Sequence, residues 1–119
     1  MQKKYHFIAG LPRSGSTLLT GILRQNPRFH SDITDMLHRF CFHIGNALNN
    51  NPDFGARTTA TPNRVKDVYM GVIDGWYKNI NKEVIFNTHR YWLRIPEYLY
   101  SLNNKFKIIC CVRDINLIL

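Results

Sequence analysis

Two glycines, Gly10 and Gly15, enclose Leu11-Pro-Arg-Ser14 and are followed by Ser16-Thr17. Glycines between a strand and a helix let the backbone curl until successive N–H groups face one point. The positive end of the following helix then makes that point an anion site. Pro12 and Arg13 belong to the loop, and the Arg13 fork can hold an oxyanion through two N–H donors. Ser14, Ser16 and Thr17 add hydroxyl donors. A second basic position is Arg113, which closes the apolar run Phe106-Lys-Ile-Ile-Cys-Cys-Val112. An arginine at the C-terminal edge of a parallel strand stands where open α/β sheets bind ligands. The plain alternative is a local ion pair of Arg113 with Asp114. The histidines His6, His30, His38 and His43 show no metal spacing, because a gap of five between His38 and His43 puts them on different helical faces. No metal site is expected.

The elements that must hold these residues follow from periodicity. Tyr5 to Ala9 reads as a short strand. A helix follows the loop, with Leu18, Leu19, Ile22 and Leu23 spaced for one buried face, and Asn26-Pro27 ends it. Met36, Leu37, Phe40, Cys41, Ile44 and Leu48 mark a helix over about 33–48, and a loop covers 49–55. Thr61-Pro62 begins another helix, whose buried side is Val65, Val68, Tyr69, Val72, Ile73, Trp76, Tyr77 and Ile80. Val84-Ile-Phe86 is a fully apolar and therefore central strand. A helix is predicted from Pro96 to about Leu102, a strand over Phe106–Val112, and the opening of a helix over Ile115–Leu119. Strands separated by helices imply right-handed βαβ units. The expected class is α/β, a P-loop-like parallel sheet of about three strands with flanking helices.

The chain has 119 residues, so residues 1–119 are read as one domain with one core. Sixteen Lys and Arg against eight Asp and Glu give a net charge of +8, which favours a polyanionic partner. An apolar content of 45% and a charged content of 20% exclude a disordered or fibrous chain. Cys41, Cys110 and Cys111 are odd in number, and adjacent cysteines on a strand point to opposite faces, so a reducing compartment fits better than a disulfide scaffold. The basic N-terminus leads into too short an apolar stretch for a signal peptide, and no run approaches a membrane span. The expectation is a soluble, cytoplasmic protein.

The loop spacing G-x-x-x-x-G-S-T resembles a P-loop with Ser16 in place of its lysine, which argues against hydrolysis of ATP or GTP. Phe7-Ile-Ala-Gly-Leu-Pro-Arg-Ser-Gly-Ser-Thr-Leu-Leu19 resembles the 5′-phosphosulfate loop of the sulfotransferases that use 3′-phosphoadenosine-5′-phosphosulfate (PAPS). Its form is closer to bacterial and tyrosylprotein-type members than to cytosolic ones. Arg24-Gln-Asn-Pro-Arg-Phe-His30 continues the likeness to bacterial members, and Lys107–Asp114 is similar to the strand whose arginine holds the 3′-phosphate.

The resemblance implies PAPS as donor, PAP as product, and no metal. It assigns Pro12, Arg13, Ser14, Gly15, Ser16, Thr17 and Arg113 to the nucleotide. Phe86-Asn-Thr-His-Arg90 matches a Lys-Thr-His triplet at Thr88 and His89, with Asn87 where the lysine would be. His89 is then the expected base, with Arg13 stabilising the leaving charge and Arg90 able to supply the missing cation. Asp32 and Asp35 are the rival bases, for which a helix cap and first-turn acid are the alternative. Family members are about twice as long or more, so the chain is expected to be an N-terminal portion, weakly active and prone to self-association through an uncovered sheet edge. The acceptor is an unspecified hydroxyl or amine, and neither nucleic acid nor membrane is an expected partner. Two other classes remain open: a P-loop nucleotide kinase or nucleotide-binding protein, and a non-enzymatic polyanion binder.

Overall fold

In the computed structural model of the chain, described over residues 2–10, 14–50, 62–94 and 106–113, the run Tyr-His-Phe-Ile-Ala-Gly sits at the middle of a sheet. It forms β1 (Lys4–Gly10), whose last four residues are all buried, as expected of a strand covered on both faces. α1 (Ser16–Arg24) follows, then β2 (Phe29–Ile33), α2 (Asp35–Asn50), α3 (Pro62–Trp76), β3 (Val84–Thr88), a 3-10 turn (Trp92–Arg94) and β4 (Ile108–Cys111). The fold is α/β, with four parallel strands in the order β2-β3-β1-β4. β1 is hydrogen-bonded to β3 from Lys4↔Val84 to Ile8↔Thr88 and to β4 from Phe7↔Ile108 to Gly10↔Cys111.

Side-chain alternation divides the sheet into two faces. Tyr5, Phe7, Ala9 and Ile85 pack with Leu37 and Cys41 of α2, with Tyr69 and Ile73 of α3, and with Tyr77 and Trp92. The opposite face takes α1, whose Thr20 hydroxyl lies 2.7 Å from that of Thr88 and whose Arg24 Nε donates to the Ser31 carbonyl at 2.9 Å. The β1-to-β2 and β2-to-β3 crossovers run in opposite directions with helices on opposite faces, as a common right hand requires.

Four strands replace the expected three. β2 escapes a periodicity search because its centre is His30-Ser-Asp32. Its acid is held by bonds: the Tyr77 hydroxyl donates to Asp32 Oδ1 at 2.9 Å across the fold, and His30 Nε2 lies 3.0 Å from Asp32 Oδ2 along the strand. The buried face of α1 also differs. Thr20 is buried, whereas Leu18 and Ile22 are exposed, because the small hydroxyl pair Thr20–Thr88 brings the helix close to the sheet on that side. On α2, Leu37 and Cys41 are buried as expected but Met36 and Phe40 are exposed, and His38 is buried unexpectedly. On the third helical stripe Tyr69, Ile73 and Tyr77 are buried, while Val68 and Trp76 are exposed. α2 runs on through Asn49 and Asn50, the first two residues of the predicted loop over 49–55; the rest of that loop, the Thr61 cap, the helix from Pro96 and the segment Ile115–Leu119 lie outside the described residues. Among the described residues no helix is long and apolar enough to cross a membrane.

Candidate functional site

The chain leaves β1 into α1 on one face and leaves its neighbour β3 into the Trp92–Arg94 turn on the other. Adjacent parallel strands with oppositely directed exits leave a crevice beyond their C-terminal ends. A pocket of about 300 Å³ lies there, lined by Gly10, Ser14, Arg90, Leu93, Arg113 and the end of β4. That volume is at the lower end of small-ligand sites, about 300–1,000 Å³. Two cations and no carboxylate are among its described lining residues.

Local backbone chemistry shapes the loop side. A Cβ at position 10 would stand 2.5 Å from Ser14 Oγ and 3.1 Å from Cys111 Cβ, so a larger residue would push Ser14 and the end of β4 aside. Gly15, at φ 98°, occupies the left-handed region and caps α1. No side-chain bond caps that helix and no acid stands in its first turn, so the helix itself offers its N-terminal dipole no negative charge. Ser14 Oγ is buried without a hydrogen-bond partner. An orphaned donor beside two guanidinium-bearing residues fits the oxygen of a phosphate or sulfate group.

Of the residues singled out in the sequence, Ser14, Arg90 and Arg113 line this pocket together. Pro12 and Arg13 lie outside the described residues. Gly15 and Thr17 are exposed, and Ser16 is half-buried with its carbonyl taken by the Thr20 hydroxyl at 2.7 Å.

His89 faces elsewhere. Its Nδ1 accepts the Tyr91 N–H at 3.1 Å, which assigns the proton of the neutral ring to Nε2, and Nε2 donates to Asp35 Oδ1 at 2.8 Å. The two rivals for the base, His89 and Asp35, are therefore one hydrogen-bonded pair. The His89 bond, followed by the charge of Arg39, holds the Asp35 carboxyl below the usual carboxylate range. Asp32 belongs to a different cluster. It accepts from Tyr77 at 2.9 Å and from the Asn87 amide at 3.3 Å. Asn87 is buried, donating also to the Tyr77 hydroxyl at 2.7 Å and accepting the Trp92 indole N–H at 2.8 Å. The side chain that stands where the resemblance has a lysine is thus turned into the core.

Sequence reasoning did not find Tyr91, His38, or the pocket positions of Cys110 and Cys111. The strand-end rule that singled out Arg113 would have placed the two cysteines beside it. His38 is buried, stacks on His89 with ring centroids 4.6 Å apart and planes 11° apart, and donates from Nε2 to the Tyr91 carbonyl at 3.0 Å. Burial, then the His89 ring, lowers the His38 pKa. No sequence pattern links helix position 38 to strand-end position 89. Among the described residues no group of three or more His, Cys, Asp or Glu could hold a metal ion. No protein-family model matches the chain, and no match is found among curated proteins.

Proposed function

We propose that the chain is the nucleotide-binding portion of a PAPS-dependent sulfotransferase, with a P-loop-like turn between β1 and α1. The observation that supports it best is the convergence of Ser14, Arg90 and Arg113, from the ends of three neighbouring parallel strands, on one pocket. In this reading the loop N–H groups, Ser14 and Arg13 hold the 5′-phosphosulfate, and Arg113 holds the 3′-phosphate. Arg90 supplies the cation that Asn87 does not. An acceptor hydroxyl or amine attacks sulfur as the bond from sulfur to the phosphate oxygen breaks. Arg13 and Arg90 balance the negative charge that gathers on that oxygen, and aligned donors of this kind are worth about 3–4 kcal/mol. Asp35, an exposed carboxylate, receives the acceptor's proton as a weak base, because His89 and Arg39 hold its pKa down. Both nitrogens of His89 are engaged in this arrangement, so the proton is not routed there.

Calorimetric titration with PAP, ATP and AMP tests the reading. PAP should bind at least tenfold more tightly than either competitor, and Arg113→Ala should remove most of that preference, since a charge-assisted bond contributes about 1.5–3 kcal/mol. Equal binding of the three nucleotides, or an Arg113→Ala variant with undiminished PAP affinity, overturns it. Steeply salt-dependent binding of generic nucleic acid with no preference for PAP would favour a polyanion binder instead.

A further inference from the structure

The turn after β3 has to present Arg90 to the pocket, yet residues 89–91 belong to no strand or helix that would fix them. Backbone groups in such a turn need partners of their own. At Tyr91 two imidazoles supply them: its N–H donates to His89 Nδ1 at 3.1 Å, and its carbonyl accepts His38 Nε2 at 3.0 Å, together with the Arg94 N–H at 2.9 Å. The two rings stack at 4.6 Å, and Asp35 receives the outer proton of His89 at 2.8 Å. The His38 ring also meets the buried Trp92 edge-on at 5.2 Å, which ties the clamp to the core. The Tyr91 ring in turn carries the cations: the guanidinium carbons of Arg90 and Arg94 lie 4.7 and 4.3 Å from its centroid.

We propose that His89 is a positioning residue rather than a base: with His38 it clamps the Tyr91 peptide and thereby holds Arg90 at the mouth of the anion pocket. The geometry has the form that such a role needs. The Nδ1 lone pair, which a base would use, is spent on a backbone N–H two residues along, and the opposite proton is aimed at a carboxylate that fixes the tautomer. Asp35, His38 and Arg39 on α2 and Arg90, Tyr91 and Arg94 beyond β3 are the titratable and charged groups around the ring. The effect on nucleotide affinity rests on the sulfotransferase reading, whereas the clamp does not.

His89→Asn separates a clamp from a base. Asparagine Oδ1 stands near the place of Nδ1 and readily accepts an N–H two residues along, but it takes up no proton. His89→Ala removes both properties. Titration of the full chain with PAP should show affinity about tenfold weaker for His89→Ala and within about threefold of wild type for His89→Asn. Amide hydrogen exchange at Tyr91 should quicken about tenfold in His89→Ala and not in His89→Asn. Imidazole nitrogen spectra of the ligand-free wild type should show the His89 proton on Nε2.

An alanine variant with unchanged Tyr91 exchange, a proton on Nδ1, or an asparagine variant that binds PAP normally but transfers no sulfuryl group overturns the clamp. If wild type does not bind PAP, the nucleotide reading fails. The exchange and tautomer measurements still decide the clamp, and the tautomer, read in the wild-type protein, decides it should either variant fail to fold.

Discussion

The ends of β3 and β4 carry the two basic strand-end patterns of the sequence, and they finish in opposite surroundings. β3 is paired on both sides, by β2 and β1, and its last residues Asn87 and Thr88 are buried. Each polar atom there answers to a partner: Asn87 to Tyr77, Asp32 and Trp92, Thr88 to Thr20, and His89 to Asp35 and the Tyr91 peptide. β4 is paired with β1, and Cys110, Val112 and Arg113 at its end are exposed. A central strand desolvates its polar side chains and so forces them into bonds within the protein. The end of the outer described strand leaves Cys110, Val112 and Arg113 open to water. The first kind of strand end is bound into the scaffold, with Arg90 beyond it reaching the pocket, and the second borders that pocket directly.

That contrast is open to direct attack by substitution. The largest effect is expected at Trp92, fully buried against Phe7 with ring centroids 4.4 Å apart. Trp92→Ala should cost about 3–5 kcal/mol in urea denaturation, and an unmoved midpoint would show that the β3 end is not the anchor described. Asn87→Ala comes next. It strips the Tyr77 hydroxyl, Asp32 and the Trp92 indole of a shared partner, and the loss should be about 1–3 kcal/mol in the same assay.

Acidification should weaken the scaffold further. His38 lies below its ordinary 6.5 because of burial and then the His89 ring. His6 is lowered by burial, then by Lys107 and Lys4. A histidine that holds its proton less well folded than unfolded contributes stability above the unfolded value, and that contribution is lost as pH falls below it. The urea midpoint should therefore drop between about pH 7.5 and 5.5, and a rise would contradict the burial of these rings. The smallest effect belongs to the other strand end: Val112→Ser, at a residue 83% exposed, should leave stability within about 0.5 kcal/mol. A larger loss there would mean that the end of β4 is part of the scaffold after all.

Much of the frame was legible because apolar runs and loop chemistry are local. The strands at Tyr5, Val84 and Ile108 follow from their apolar runs, and the turn from Gly10 and Gly15, one avoiding a clash and the other taking a positive φ. The strand-end rule put Arg113 at the edge of the pocket, where Arg90 joins it. β2 was not legible, because His30, Ser31 and Asp32 look like a loop until Tyr77 and Asn87 arrive to satisfy Asp32. The pairing of His89 with Asp35 was equally hidden. A carboxylate and an imidazole 54 positions apart meet only because β3 lies beside β2, next to the start of α2.

By itself the sequence determined an α/β alternation and a glycine turn suited to an anion, with basic residues at two strand ends, since these depend on neighbours a few residues apart. Only the tertiary structure decided which polar side chains face water and which face each other. Strand order is what brought Ser14, Arg90 and Arg113 to one pocket and sent Asn87 and His89 into hydrogen bonds of their own. The physical reason is that desolvation depends on what a neighbouring strand or helix covers, and no local pattern encodes that.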